Sequence, residues 1–215
     1  MISKFNAFGK VIYDKSFHYI NNYMTETSVI RNKKPSDNLM NISNFFQNPD
    51  LIIDNIYLGN GYNAANYDLL KNIDIKMIIN ITDELSNYFT DEFDYLQIKI
   101  LDNDSSFITP HLDLFFDKID FFNKNKEGNI LIHCYMGSSR SASFVIAYLM
   151  KYHKKNYEDA YNFLNIKRET ININIKFIHE LISYFDNLNY NRDIKKNCTN
   201  QNVVNHNDTT VIKNI

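Results

Sequence analysis

Apolar residues along this chain recur in two rhythms. Four short runs rich in β-branched residues, 51–58, 75–81, 95–101 and 129–134, read as strands. Between and after them the spacing lengthens to three and four. Thr109-Pro110 has the form of a helix start, with Thr109 as N-cap, Pro110 at the first helical position and Asp113 in the first turn. Leu112, Phe115, Ile119 and Phe122 then fall on one face. The stretch 139–152 is apolar nearly all round, as a buried helix is. Asn156 can cap a helix carrying Tyr157, Tyr161 and Leu164 on one side. Asn174 can cap a last helix that turns Phe177, Leu181, Phe185 and Leu188 inward. Strands alternating with helices predict an α/β layer structure.

Outside roughly 47–190 both rhythms fade. Residues 1–46 are polar and weakly patterned, with a small basic cluster at Arg31, Lys33 and Lys34, and read as a partly flexible extension. Residues 191–215 are Asn-rich without apolar periodicity and read as a disordered tail. The 215 residues carry 23 basic and 25 acidic side chains, a net charge of -2. That balance offers no electrostatic footprint for duplex DNA or a membrane surface, so neither is expected as a partner. Two cysteines, Cys134 and Cys198, are too few for a disulfide framework or a four-ligand zinc site. No apolar run is long enough to span a bilayer, and the N-terminus lacks a charged region followed by an apolar one. A cytoplasmic location, with the nucleus also open, is expected. The 33 Asn and 29 Ile reflect an AT-rich coding sequence, so Asn-rich patches are discounted as signals. The same holds for glycosylation sequons at Asn41, Asn80, Asn197 and Asn207.

The chemistry gathers in Gly128-Asn-Ile-Leu-Ile-His-Cys-Tyr-Met-Gly-Ser-Ser-Arg-Ser141. A buried strand ends at His133-Cys134, a tight turn with one glycine follows, and a helix begins near Ser139. Ligands of α/β sheets bind at the carboxyl ends of strands. The turn aims backbone N–H groups and the positive end of the helix dipole at one spot, a nest suited to phosphate. Tyr135, Met136, Gly137, Ser138 and Ser139 would line it. Helix N-termini and nearby cations favour a thiolate, and a thiolate beneath a bound phosphate is a nucleophile aimed at phosphorus. Arg140, six residues after Cys134, can return to the same centre and hold two phosphate oxygens with its planar fork. The Ser141 hydroxyl can donate to the sulfur and help it leave. Arginine and the nest together supply a positive field, so no metal or cofactor is needed.

His133-Cys134-x-x-Gly137-x-x-Arg140-Ser141 resembles the signature of the cysteine-dependent protein tyrosine phosphatases. The longer run HCYMGSSRSASFVIAYLM resembles that of the dual-specificity phosphatases. NIYLGNGYNAAN, the segment from Ile78 to Glu84, and the stretch from Arg168 to Leu181 resemble other parts of the same domain, about 47–190 in all. Prolines usual between Arg168 and Asn174 are missing, with Ile173 just before Asn174. The resemblance implies a central mixed sheet of about four to five strands flanked by helices. It implies a general acid at Asp102, directly after a strand, with Asp104 as the competing choice. His133, just before the nucleophile, reads as a buried residue that orients the Cys134 loop, and the Asn80 amide reads as a brace for the same loop.

The substrate expected from the resemblance is a phosphorylated protein. The Lys-Asn-Arg-Tyr motif of Tyr-specific domains is missing, which implies a shallow pocket for phospho-Tyr and phospho-Ser/Thr alike. Lipid phosphatases of the superfamily carry Lys where this loop has Tyr135 and Met136. RNA triphosphatase relatives carry a second His that this loop lacks. The alternatives are a phosphoinositide or nucleotide phosphatase, and a phosphopeptide-binding pseudophosphatase. A pseudophosphatase usually loses the Cys or the Arg. The expected assembly is a monomer, or a weak homodimer through the N-terminal extension. A resolving role for Cys198 toward an oxidised Cys134 is a further, minor expectation.

Overall fold

The computed structural model describes residues 46–125 and 127–188. The expected tail, 191–215, and all but Phe46 of the expected extension lie outside these residues, as does Cys198.

Five strands form one mixed sheet: β1 (Asp50–Ile53), β2 (Ile56–Gly59), β3 (Ile75–Asn80), β4 (Asp94–Gln97) and β5 (Asn129–His133), in the order β1-β2-β5-β3-β4. β1 and β2 pair antiparallel and the other pairs are parallel. The run 51–58 is therefore two strands rather than one. Asp54 takes a φ of 50° and, with Asn55, turns the chain back on itself. Asp tolerates this left-handed conformation well, so the reversal needs no glycine or proline. The run 95–101 also shortens. Ile98 makes a last bond to the Asn80 carbonyl, and 98–101 then leave the ladder.

β5 lies between β2 and β3, parallel to both. Its Ile130, Leu131 and Ile132 are all fully buried. A central parallel strand is covered on both faces, which is why it reads as an unbroken apolar run. Ile130 and Ile132 join the larger core with Met77 and Ile79; Leu131 points the other way, into a smaller core with Leu70, Ile75, Ile78 and Phe93.

The helices are α1 (Gly61–Ala64), α2 (Tyr67–Asn72), α3 (Leu112–Asn125), α4 (Arg140–Tyr152), α5 (Tyr157–Lys167) and α6 (175–188). Every residue of α4 from Arg140 to Met150 is buried. The apolar face of α3 is buried as its spacing predicts, and Phe116 joins it. Asn156 and Asn174 cap α5 and α6, accepting from Asp159 N at 2.8 Å and Lys176 N at 2.9 Å. Two details depart from expectation. Thr109 is not an N-cap: it opens a 3-10 turn before α3, and its hydroxyl donates to Glu180 on α6. Leu188 is 39% exposed, because α6 has by then run past the core that takes Phe177, Leu181 and Phe185. Among the described residues no helix is long and apolar enough to cross a membrane.

Candidate active site

The loop from Cys134 to Ser139 joins the carboxyl end of β5 to the start of α4. At its root His133 sits between Gly59 of β2 and Asn80 of β3. Ile81 N donates to the His133 carbonyl at 2.8 Å. The loop's carbonyls are then taken from outside, one after another. Gly61 N donates to Tyr135 O at 3.0 Å, and Asn172 N to Ser138 O at 2.9 Å. Arg168 reaches the carbonyls of Met136 and Gly137 at 3.5 and 2.9 Å, anchored by Asp50 at 2.6 Å. A trans peptide points its N–H opposite its C=O. The amides of Met136, Gly137, Ser138 and Ser139 therefore turn to the inner side, forming a nest.

Gly137 is required for this shape. Its φ is 72°, and a Cβ there would collide with the Gly59 carbonyl and the Arg168 guanidinium.

Cys134 lies at the base of the nest, 2% exposed. Its sulfur accepts from Gly137 N and from the Ser141 hydroxyl, each at 3.2 Å. Both bonds aim a donor at the sulfur.

Arg140 is 4% exposed, and three of its five N–H donors have partners in hydrogen bonds. Nη1 donates to Glu84 Oε2 at 2.7 Å and to the Ile100 carbonyl at 2.9 Å. Nη2 donates to Glu84 Oε1 at 2.5 Å. Glu84 thus grips the guanidinium end-on. Nε is buried and makes no hydrogen bond; Asp102 Oδ2 stands 3.8 Å from it. Burial pushes the Glu84 carboxyl up, but its paired bonds to Arg140 outweigh that and hold it below its ordinary value. Burial also works against the charge on Arg140, and Glu84 with Cys134 restores it, so the guanidinium is held more firmly protonated than usual.

Asp102 is exposed, two residues past the Ile100 carbonyl that Arg140 holds. Its Oδ1 accepts from the Ser139 hydroxyl at 2.9 Å. The structure therefore brings Asp102 to the mouth of the nest. Asp104, also exposed, is tied through its backbone carbonyl to Lys176 at 2.6 Å. Asn80 does not brace the nest directly. Its amide nitrogen donates to Leu85 O and Asn87 Oδ1, and its oxygen accepts from Thr82, so it shapes the loop that carries Glu84. Met136 and Tyr135 are half-buried on the loop.

Glu84 and Arg168 escape sequence reasoning as functional residues. Each meets the loop from a distant segment, and no local spacing marks them. Nor does composition mark them, because Glu84 follows Asp83 and Arg168 stands between Lys167 and Glu169.

His133 is 1% exposed, with Nδ1 3.3 Å from the Cys134 carbonyl oxygen. Burial pushes its pKa down to about 4. The unfolded chain therefore binds a proton that the folded one refuses between the ordinary value of 6.5 and about 4. Stability is full above that window, falls through it as pH drops, and levels below it, a loss of about 3 kcal/mol. Urea unfolding at pH 7.5 and pH 4.5, which spans most of the window, should differ by about 2.5 kcal/mol, and His133→Gln should flatten the difference. An unchanged slope in the variant would assign the loss elsewhere.

The dual specificity phosphatase catalytic-domain model matches residues 56–187. Human protein phosphatase Slingshot homolog 1 is 38% identical over 138 residues, 63% of this chain and 13% of that protein. Human dual specificity protein phosphatase 14 is 37% identical over 133 residues, 62% of this chain and 67% of that protein. The chain thus spans only a small fraction of the Slingshot proteins and two thirds of the shorter relative. Among solved structures, DUSP15 aligns with a TM-score of 0.61 at 27% identity, covering 64% of this chain and 87% of that one. Human tyrosine phosphatase-like serine/threonine/tyrosine-interacting protein aligns with a TM-score of 0.59 at 30% identity, covering 64% and 95%. Since the matched segment runs from β2 through the Cys134 nest almost to the end of α6, the chain belongs to the family of dual specificity phosphatase catalytic domains.

Proposed function

We propose that this chain hydrolyses phosphoproteins at phospho-Tyr and phospho-Ser/Thr through a phosphocysteine on Cys134. The observation that carries the proposal is the buried Arg140 Nε, which lacks a hydrogen-bond partner beside a sulfur set in a nest of amides. A buried donor left unpaired costs free energy unless a ligand completes it. A phosphoryl group bound there completes Nε and the nest together.

In the first step Sγ attacks phosphorus, an S–P bond forms and the bond to the leaving oxygen breaks. Asp102, as the acid, protonates that oxygen. In the second step water attacks phosphorus, the Asp102 carboxylate takes its proton, and the S–P bond breaks. The Ser141 hydroxyl and Gly137 N receive the departing thiolate. Arg140 and the inner amides balance charge on the equatorial oxygens throughout. Glu84 keeps the fork aimed, so that its Nε edge rather than its end meets the phosphate.

Proteins are favoured over inositides because Tyr135 and Met136 stand in the loop where a multiply charged ring would want lysine. The named relatives being protein phosphatases supports the same side. A panel of phospho-Tyr peptide, phospho-Thr peptide and phosphoinositide tests this. Both peptides should turn over, with the inositide at least about 100-fold slower in kcat/KM. An inositide hydrolysed faster than either peptide would overturn the substrate class. Peptide binding without any turnover would make the chain a binding module.

A further inference from the structure

The segment that carries Asp102 has little of its own to hold it. Residues 101–105 are exposed. Asn103 closes the tip on itself: its Oδ1 accepts from the backbone and hydroxyls of Ser105 and Ser106 at 2.8 to 3.1 Å. Such a turn sets the shape of the tip but not its place above Cys134.

Ile108 anchors the far end of the segment in the larger core, and among the described residues the side-chain hydrogen bonds that tie 103–109 to the body come from one element, α6. Lys176 Nζ donates to the Asp104 carbonyl at 2.6 Å and lies 3.4 Å from the centroid of the Phe107 ring. One turn on, Glu180 Oε2 accepts from Ile108 N at 2.9 Å, Thr109 N at 3.0 Å and the Thr109 hydroxyl at 2.8 Å. An i, i+4 pair shares one helix face, so the two side chains grip opposite ends of the same segment. The approach to α6 holds the nest as well. Asn172 N donates to Ser138 O, and Asn174 N donates to the Ser139 hydroxyl, which in turn donates to Asp102.

We infer that Lys176 and Glu180 are positioning residues for the proton-transfer step, and that α6 is the common mount on which acid and nucleophile are aligned. The inference rests on Asp102 as the acid. Neither residue touches the phosphate. Lys176 sets the height of the tip through a charge-assisted bond to Asp104 O, and Glu180 pins the exit of the segment where it enters α3. Without them Asp102 keeps its bond to Ser139 but samples a wider arc over the leaving oxygen. An error of about 1 Å at a reacting group is enough to cost rate.

The test is the double variant Lys176→Met with Glu180→Gln, which keeps side-chain length and shape. On a phospho-Thr peptide, whose alkoxide cannot leave without a proton, kcat should fall about tenfold or more. On an aryl phosphate with an acidic phenol, kcat should stay within about twofold, because that oxygen leaves unprotonated. Affinity for tungstate, a read-out of the nest, should not change. Restoring Lys176 as Arg should recover most of the loss. An equal fall on both substrates, weakened tungstate binding, or no fall at all would each overturn the inference. Asp102→Asn measured in parallel separates the two claims. If Asp102→Asn shows the leaving-group dependence and the double variant does not, positioning by α6 falls and the acid stands. If only the double variant shows it, Asp102 is not the acid and α6 positions another group on the same segment. In the Asp102→Asn background the double variant should cost nothing further, as expected of groups acting through one another.

Discussion

Cys134→Ser should lower turnover of every phosphoester by about 10⁴-fold or more while phosphopeptide binding persists. The hydroxyl is nearly isosteric with the thiol and can still accept from Gly137 N and Ser141, so the nest keeps its form. What is lost is the anion. A serine hydroxyl is not ionised near neutral pH, and the groups bonded to Cys134 Sγ are donors rather than bases that could remove a proton from it. Binding should hold because Arg140 and the inner amides are untouched, and removing the thiolate's charge takes away a repulsion. Isothermal titration with a phospho-Tyr peptide, beside a phosphate-release assay, reads both halves. Full activity in the variant would sink the phosphocysteine mechanism. Loss of binding would mean that the sulfur builds the nest as well as attacking from it.

Arg140→Lys should be nearly as damaging, lowering kcat/KM by about 10² to 10³-fold although the charge is kept. Arg140 makes two kinds of contact at once. Its Nη edge is taken by Glu84 and the Ile100 carbonyl, while Nε remains for the phosphate. A lysine ammonium has one centre and must choose. Glu84, its carboxylate 29% exposed and held below its ordinary pKa by the arginine, is the nearer partner and will win it. The phosphate then meets the nest without its cation, so KM rises and kcat falls together. Steady-state kinetics on a phospho-Thr peptide decide the point. A variant within tenfold of the parent would show that charge alone, without the fork, suffices.

Much of this was legible in the chain before any coordinates. The nest was readable because its residues are contiguous: Cys134, Gly137, Arg140 and Ser141 fall within eight positions that cross from a strand to a helix. The caps Asn156 and Asn174 were readable because a side-chain oxygen bonds an amide two or three residues away. What stayed hidden is contact between distant segments. Arg140 meets Glu84 across 56 residues, Arg168 meets Gly137 across 31, and Glu180 meets Thr109 across 71. Hydrophobic period carries no information about such pairings. The β1–β2 turn was missed for a different reason. Asp54 and Asn55 interrupt the apolar run so briefly that 51–58 reads as one strand, and in an Asn-rich chain another Asn draws no notice. Thr109 was misjudged because a threonine before a proline satisfies the pattern of a cap, yet Glu180 offers its hydroxyl a charged acceptor from another helix.

The place of β5 at the centre of the sheet bears on how the protein folds. β5 pairs with β2 and β3, strands that lie some 50 to 75 residues earlier in the chain. Parallel pairing over such separations must close long loops before it is rewarded, and is slow beside helix formation. The nucleophile hangs from the last residue of that strand, and its loop is held by segments on both sides of it. Chains emerging from denaturant should therefore regain helical signal well before they regain hydrolysis. The return of activity clocks the closing of the sheet around its middle strand.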